Sequence, residues 1–482
     1  MPRPKLRRYQ IDDLDRILDA LNAASRGRVV YQGPTGSGKT VLFADLISQE
    51  VAANGRRALV LAHRIEIVEQ VSAALEALEV NHGIIAPDYP HTDDHVQVGS
   101  VMSVVRRLKR MRPPFLIVID EAHHSAAGTW QKIIAAFPDS YILGVTATPR
   151  RLDGKPLDDT YDDLVVGPSI AKLIDLGYLA PCTVFTPPTN PDLSKVHIRA
   201  GDYAIEQLSA VMSRGMIVRG AVEEYKRLCD GDPAIAFCVD IKHSKLVAKA
   251  FRAAGYRAEH VDGDTSPQLR RELIADLGRG RIDVLSNCQL ISEGLDVPGV
   301  VAAILLRPTQ SLALYLQMVG RALRPAEDKD EAVVLDHAGN VYRHGLPTAN
   351  RRWSLHGKQI KTGPGNKLVR CPNCGAINSR GADECENCGR ELHHHRAPRV
   401  EVAGRMLVEA VEVPVTDWDI AKMGKRGALR WAAGDDGRLR ADRLARIAEV
   451  RAYKQGWVYY NTGKHWETVW EEMEKWRREN IR

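Results

Sequence analysis

The chain has 482 residues, 44% hydrophobic and 27% charged, which excludes a disordered or fibrous polypeptide and allows about three domains. Apolar runs such as Phe115–Ile119 and Gly299–Leu306 fall far short of the roughly 18 residues of a membrane span. The net charge of +6 divides unevenly: residues 1–340 hold 40 basic and 43 acidic side chains, residues 341–482 hold 27 and 18.

The basic start MPRPKLRRYQ leads into Ile11-Asp12-Asp13 without an apolar signal region, so a cytoplasmic protein with no membrane partner is expected. From Leu6 to about Ala200, apolar runs alternate with helical patterns. Arg28–Gln32, Ala58–Ala62, Phe115–Asp120 and Tyr141–Thr146 are predicted strands, and Val41–Ala53 and Arg64–Leu78 predicted helices between them. Strands without polar alternation, separated by helices, belong to a parallel sheet covered on both faces. The pattern restarts with strands at Ala234–Val239, Arg257–Val261, Asp283–Ser286, Val300–Leu305 and Ala332–Leu335, and helices at His243–Ala254 and Pro267–Leu277. Two α/β halves are predicted, joined through Arg150–Asp202, with no strands after His344.

Gly33-Pro34-Thr35-Gly36-Ser37-Gly38-Lys39-Thr40 fits G-x-x-x-x-G-K-[ST] between a strand and a helix. Glycines there let backbone N–H groups curl around phosphates, Lys39 reaches the β- and γ-phosphates, and Thr40 places its hydroxyl on Mg²⁺. Asp120-Glu121-Ala122-His123 ends a buried strand, where nucleotide hydrolysis needs one carboxylate to hold Mg²⁺ (Asp120) and one to activate water (Glu121).

These motifs, with Thr146-Ala147-Thr148-Pro149, resemble the first RecA-like domain of a superfamily 2 helicase of the DEAH class. Gly294-Leu295-Asp296-Val297-Pro298 and Gln317-Met318-Val319-Gly320-Arg321-Ala322-Leu323-Arg324 are similar to that family's fifth and sixth motifs. The resemblance covers residues 6–345. Leu305–Gly345, followed by a four-cysteine ribbon, looks like the RadD-type bacterial DNA-repair helicases, which are related to XPB-like proteins and type III restriction subunits. The resemblance implies that Gln10, in Leu6-Arg7-Arg8-Tyr9-Gln10, reads adenine, although Arg8 stands where the family has proline. It further implies that Arg321 and Arg324 enter the ATP site as arginine fingers, that Gln317 links the γ-phosphate and attacking water to domain closure, and that Gly294 and Asp296 complete the nucleotide edge. His63-Arg64 and Ser100 match positions that touch nucleic-acid phosphates, and His123, Thr146 and Thr148 match those that couple hydrolysis to the nucleic-acid groove. The basic run Arg106–Arg112 reads as a solvated helix face.

Eight cysteines fall into two groups. Cys182, Cys229, Cys238 and Cys288 are scattered and read as inert, whereas Cys371-x₂-Cys374-x₁₀-Cys385-x₂-Cys388 has the spacing of a tetrahedral Zn²⁺ site. Four protein ligands leave no open position, so the zinc would be structural. His393-His394-His395 reads as a solvated run. Seven of the eight tryptophans follow residue 341. With the positive charge around them, for instance in Tyr453–Tyr460 after a helix at Leu439–Val450, they could stack on unpaired bases or form the core of a small helical domain.

The expected architecture is α/β: two tandem RecA-like P-loop domains with parallel sheets (1–165 and 206–350, linker 166–205), a zinc ribbon (366–392) and a basic, Trp-rich, mainly helical C-terminal domain (400–482). The expected function is an ATP-dependent DNA helicase or translocase with ATP, Mg²⁺ and structural Zn²⁺, acting on single-stranded or branched DNA in repair, recombination or replication, with a possible protein partner at the C-terminal domain. The alternatives are a DNA-remodelling ATPase without processive unwinding, the motor subunit of a restriction system, and an RNA helicase.

Overall fold

The computed structural model describes residues 5–150, 156–199, 201–288, 299–326, 329–356, 368–379 and 382–392. Residues 1–365 and 366–482 form two compact units. The first unit contains two all-parallel sheets. The first sheet is built from β1 (Arg28–Gln32), β2 (Ala58–Ala62), β3 (His82–Ile85), β4 (Val96–Ser100), β5 (Leu116–Asp120), β6 (Tyr141–Thr146) and β7 (Asp163–Val166), in the order β3-β4-β2-β5-β6-β1-β7. The second uses β8 (Cys182–Phe185), β11 (Ala234–Phe237), β12 (Ala258–Val261), β13 (Val284–Asn287), β14 (Ala302–Leu305) and β15 (Ala332–Asp336), in the order β12-β13-β11-β14-β15-β8. A two-residue hairpin, β9 (Ile198–Arg199) with β10 (Asp202–Tyr203), lies between β8 and β11 in sequence. These are the two α/β halves that the alternation of apolar runs and helical patterns predicts, and they are RecA-like, as the family resemblance implies.

Burial explains the pattern. All five residues of β2 are buried, as are all those of β11, β13, β14 and β15. Helices cover both faces, so no strand residue there needs to be polar. The strands that the apolar pattern does not predict carry interruptions. In β4, Gln97 and Gly99 break the run; β3, β7 and β8 are four-residue strands at sheet edges. The predicted helix Val41–Ala53 starts earlier, at Lys39, directly after left-handed Gly38. From Ile47 to Ala52 it widens into π-type turns, closed by Ala53 N–H on the Ser48 carbonyl at 3.2 Å.

Two crossings join the lobes. The first is the segment from Gly167, whose N–H bonds the Gln32 carbonyl at 2.8 Å, to Ala180, whose N–H bonds the Leu323 carbonyl at 2.8 Å. The second follows β15. Arg351 pins its own turn by donating to the carbonyls of Pro347, Ala349, His344 and Leu346. The chain then returns to the first lobe, where Leu355 joins the core beside Trp130, Ile133 and Tyr161, and its carbonyl accepts Leu157 N–H at 2.7 Å. The core of the first lobe is thus completed by a residue that follows the second. Leu355→Ala is expected to destabilise that lobe by about 2–5 kcal/mol, the usual cost of a buried leucine, measured by urea denaturation. An unchanged midpoint would mean that the crossing merely rests on the surface.

Candidate functional site

The P-loop leaves β1 at Gly33 and ends where the helix Lys39–Leu46 begins. Gly36 and Gly38 have φ of +85° and +75°, a region that side chains avoid. A Cβ on Gly33 would lie 2.8 Å from Ser37 Oγ, and one on Gly38 2.7 Å from Gln10 Nε2, so the loop has room only for glycine at these points. Lys39 is half-buried and folds over its own loop, donating to the carbonyls of Gly33 (2.9 Å) and Pro34 (3.2 Å). Burial lowers its pKa, opposed by the charges of Glu121 and Asp120.

Asp120 closes β5 and Glu121 follows in a left-handed conformation (φ 52°) that costs a non-glycine residue roughly 1–3 kcal/mol. Both are half-buried at the cleft. Burial and the neighbouring Glu121 charge push the Asp120 carboxyl up to about 6. Burial opposes ionisation of Glu121 too, but His123 and then Lys39 hold its carboxyl down at about 2. His123 Nδ1 lies 3.3 Å from Glu121 Oε2 and 3.2 Å from Thr146 Oγ1. Thr146 Oγ1 in turn donates to the Thr148 carbonyl and accepts from Thr148 N–H. A continuous polar chain therefore connects Glu121 to the Thr146–Thr148 turn.

The second lobe reaches this cleft along the helix Leu312–Ala322. Gln317 Nε2 lies 3.4 Å from Glu121 Oε1, and a Cβ on Gly320 would stand 2.6 Å from Thr35 Cβ, so glycine is what allows this helix to meet the P-loop. Arg321 and Arg324 line the same cavity of about 390 Å³ as Lys39, Thr40, Asp120 and Glu121. Burial lowers the Arg324 pKa to about 10. A second bridge between lobes is the ion pair of Arg270 with Glu66.

The other expected positions fall as follows. Gln10 is buried, its Nε2 on the carbonyls of Ser37 (3.2 Å) and Gly38 (3.1 Å), its Oε1 accepting from Arg7 N–H at 2.9 Å. His63 follows β2, its ring 5.0 Å from that of His124, which lies 4.1 Å from the His123 ring. Arg64 caps the helix Ile65–Ala77, and Ser100 caps Val101–Arg107 by accepting Ser103 N–H at 3.4 Å. Both follow or end adjacent strands, on the edge that also carries Asp120. Gly294 and Asp296 lie outside the described residues, as do His393–His395 and the tail from 400 to 482. Among the residues lining the cleft, Arg7, Gln70, Tyr178 and Pro325 are ones the motifs do not single out as site residues. Arg7 was within sight, three positions before Gln10; Tyr178 lies in the crossing between lobes and carries no motif.

In the second unit, Leu368–Arg370 (β16) and Ile377–Ser379 (β17) pair antiparallel. No strand is expected there from sequence, because each is only three residues long. Cys371 and Cys374 leave β16, and Cys385 and Cys388 lie beyond β17. The four sulfurs all lie within 4.8 Å of one another, with Cys371 to Cys388 and Cys374 to Cys385 at 3.6 Å. Zn–S bonds of about 2.3 Å in a tetrahedron put the sulfurs roughly 3.8 Å apart, so the four fit a zinc ion. Each pair forms the same knuckle: Gly375 N–H bonds the Cys371 carbonyl, and Gly389 N–H that of Cys385, both glycines being left-handed.

A P-loop facing an arginine-bearing helix across two parallel-sheet lobes defines a nucleotide-driven motor. Two family models match in chain order: the type III restriction enzyme res subunit over residues 3–151 and the helicase conserved C-terminal domain over residues 220–326. A 51.5 kDa protein of a Lactococcus phage is 34% identical over 83% of this chain and 87% of its own length. IRC3 of Saccharomyces cerevisiae, which its name places among ATP-dependent helicases, is 31% identical over 70% of this chain but only 52% of the yeast protein. An HsdR-subunit fragment of a type I restriction enzyme from Vibrio vulnificus has the same fold, with a TM-score of 0.57 at 20% identity over 74% of this chain and 68% of that one. The chain belongs to the DEAD/DEAH-like helicases of superfamily 2, a family of ATP-dependent nucleic-acid motors that use ATP and Mg²⁺. Among the described residues, no helix is long and apolar enough to cross a membrane.

Proposed function

We propose that this protein is an ATP-dependent DNA helicase or translocase, serving repair, recombination or replication. The observation that carries this reading is the approach of Gln317 to Glu121 at 3.4 Å, with Gly320 against Thr35, since it puts the sensor and arginines of one lobe on the nucleotide site of the other. Lys39 and the P-loop N–H groups of Thr35, Gly36, Ser37 and Gly38 hold the phosphates, with Gly33 leading the chain in. Thr40 and Asp120 suit Mg²⁺, which when bound neutralises charge on the β- and γ-phosphates. Glu121, ionised throughout the physiological range, takes a proton from the attacking water, and Gln317 orients that water. Arg321 and Arg324 stabilise the charge that develops on the transferred phosphoryl group.

Loss of the γ-phosphate removes the ligand that both lobes grip, so the lobes part. His123, Thr146 and Thr148 pass the change at Glu121 towards the strand ends that present His63, Arg64 and Ser100. Contacts of that kind with DNA phosphates are independent of sequence, which suits translocation. Steady-state ATP hydrolysis with no nucleic acid, single-stranded DNA, forked DNA or RNA tests this, with Glu121→Gln as the blank. DNA is expected to stimulate most; stimulation by RNA alone would overturn the choice of nucleic acid. The res-subunit match also favours a second reading, the motor of a restriction system, and cleavage of unmodified DNA in the presence of a methyltransferase would select it.

A further inference from the structure

The amino edge of the first sheet carries a cavity of its own, at the opposite end of the parallel strands from the P-loop. Arg57 immediately precedes β2 there, the stretch from His91 to His95 leads into β4, and Met111–Pro114 leads towards β5. The basic run Arg106–Arg112, which the sequence suggests is a solvated helix face, is divided in the structure. Its helix ends at Arg107, a 3₁₀ turn covers Leu108–Arg110, and Met111 continues in extended form. Arg107, Arg110 and Arg112 consequently reach one cavity of about 120 Å³, which Arg57 also lines.

Arg57 is held in place. Its guanidinium donates to Asp93 Oδ1 at 3.2 Å and to the Asp94 carbonyl at 3.4 Å, while its own carbonyl accepts Phe115 N–H at 2.8 Å. Arg112 meets the other oxygen of Asp93 at 3.3 Å. Asp93 thus spaces two guanidiniums. Among the described residues that line the cavity, it is the single carboxylate against four arginines. The dipole of the helix Val101–Arg107 favours cations at its end, which accounts for Arg106 and Arg107. It does not account for Arg57 or Arg112 meeting at the same place. An excess of arginines around a small concave site suits phosphate, whose oxygens accept paired N–H bonds from the guanidinium plane.

We infer that this cavity is a second DNA contact of the first lobe, holding a backbone phosphate from an arm of the substrate other than the strand in the motor groove. The inference rests on the reading of the protein as a DNA motor. Arg57 precedes β2 and His63 follows it, so the two edges stand about 20 Å apart at roughly 3.3 Å per residue. A strand running along the edge of His63, Arg64 and Ser100 leaves the opposite edge to another arm. A fork supplies such an arm, and a short single strand does not.

The test is fluorescence anisotropy on the full chain with a labelled fork and a labelled short single strand, over a range of salt. Arg110→Ala with Arg112→Ala removes two exposed arginines of the cavity. Arg106→Ala with Lys109→Ala removes the same charge from exposed positions of the same run that do not line it. The cavity pair should bind the fork about tenfold more weakly and lose about 2 from the slope of log affinity against log salt. Its affinity for the single strand should match the wild type, and the control pair should match it for both probes. A thermal melt shared by all three proteins shows that they are folded. Equal losses in the two pairs would mean general charge attraction and overturn the site. Equal weakening of fork and single strand would put the cavity on the motor strand and overturn the second-arm assignment. Fork affinity unchanged in the cavity pair would also overturn it and leave an acidic polypeptide as the occupant to seek. A wild type that binds neither probe would instead refute the DNA-motor reading, and the inference with it.

Discussion

Replacing Lys39 by alanine is expected to reduce ATP turnover by at least about a hundredfold, the scale of losing one preorganised charge from a phosphoryl-transfer site. The fold should survive. Lys39 is half-buried with its ammonium on two carbonyls of its own loop, a position in which desolvation works against the charge. Alanine removes that desolvation cost together with the two hydrogen bonds, so the two changes in stability oppose each other. The helix Lys39–Leu46 packs through Leu42, Phe43, Ala44 and Leu46, none of which depends on the lysine. Phosphate release and a thermal melt, taken side by side, check both halves of the expectation. A Lys39→Ala protein that melts like the wild type and still hydrolyses ATP would sink the assignment of this loop. Glu121→Gln provides the complementary case, because it keeps the shape of the cleft and the Gln317 contact point while removing the base.

The contrast between Lys39 and Tyr178 shows what made some of this cleft legible in the sequence and hid the rest. The P-loop could be read because its chemistry imposes local spacing: glycines, lysine and threonine must follow one another within eight residues for the backbone to curl. Asp120-Glu121 was legible for a similar reason, since a buried strand that ends in two carboxylates has few structural excuses. Gln317, Arg321 and Arg324 could be placed only through family resemblance, because nothing local to a helix of mixed polarity says that it faces a cleft in another lobe. The structure brings Gln317 to Glu121 and lines the cavity with both arginines. Tyr178 has neither aid. Its place depends on Leu179 meeting Gly36 and Ala180 meeting Leu323, two contacts between segments far apart in the chain.

The fold divides along the same line. Strands buried on both faces, such as β2 and β14, announce themselves as continuous apolar runs. The edge strands β3, β7 and β8 are short and partly exposed, so their sequences carry turn-like and polar residues that hide them. Leu355 is the extreme case. A single leucine nearly 200 residues after Leu157 completes the core of the first lobe, and tertiary contact alone reveals it.

Zinc removal should have an effect of a different kind, confined to the second unit. Between Leu368 and Leu392 the buried apolar side chains other than cysteine, among the described residues, are Ala376, Ile377 and Leu392. Three such side chains offer little to offset the entropy of ordering the roughly 25 residues around the cysteines. The four cysteines are free thiols whose sulfurs already have tetrahedral spacing, and structural Zn²⁺ supplies apparent binding energies of about 10–16 kcal/mol at neutral pH. One zinc per chain is therefore expected by metal analysis. Cys371→Ser should lose it and open the ribbon to proteolysis between residues 366 and 392. Hydrolysis of ATP without nucleic acid should persist in that variant, because both lobes lie in the other compact unit. A chain that contains no zinc yet resists proteolysis across this region would overturn the metal assignment. Loss of basal hydrolysis in Cys371→Ser would instead show that the ribbon supports the lobes, a coupling that neither the P-loop nor the arginine helix requires.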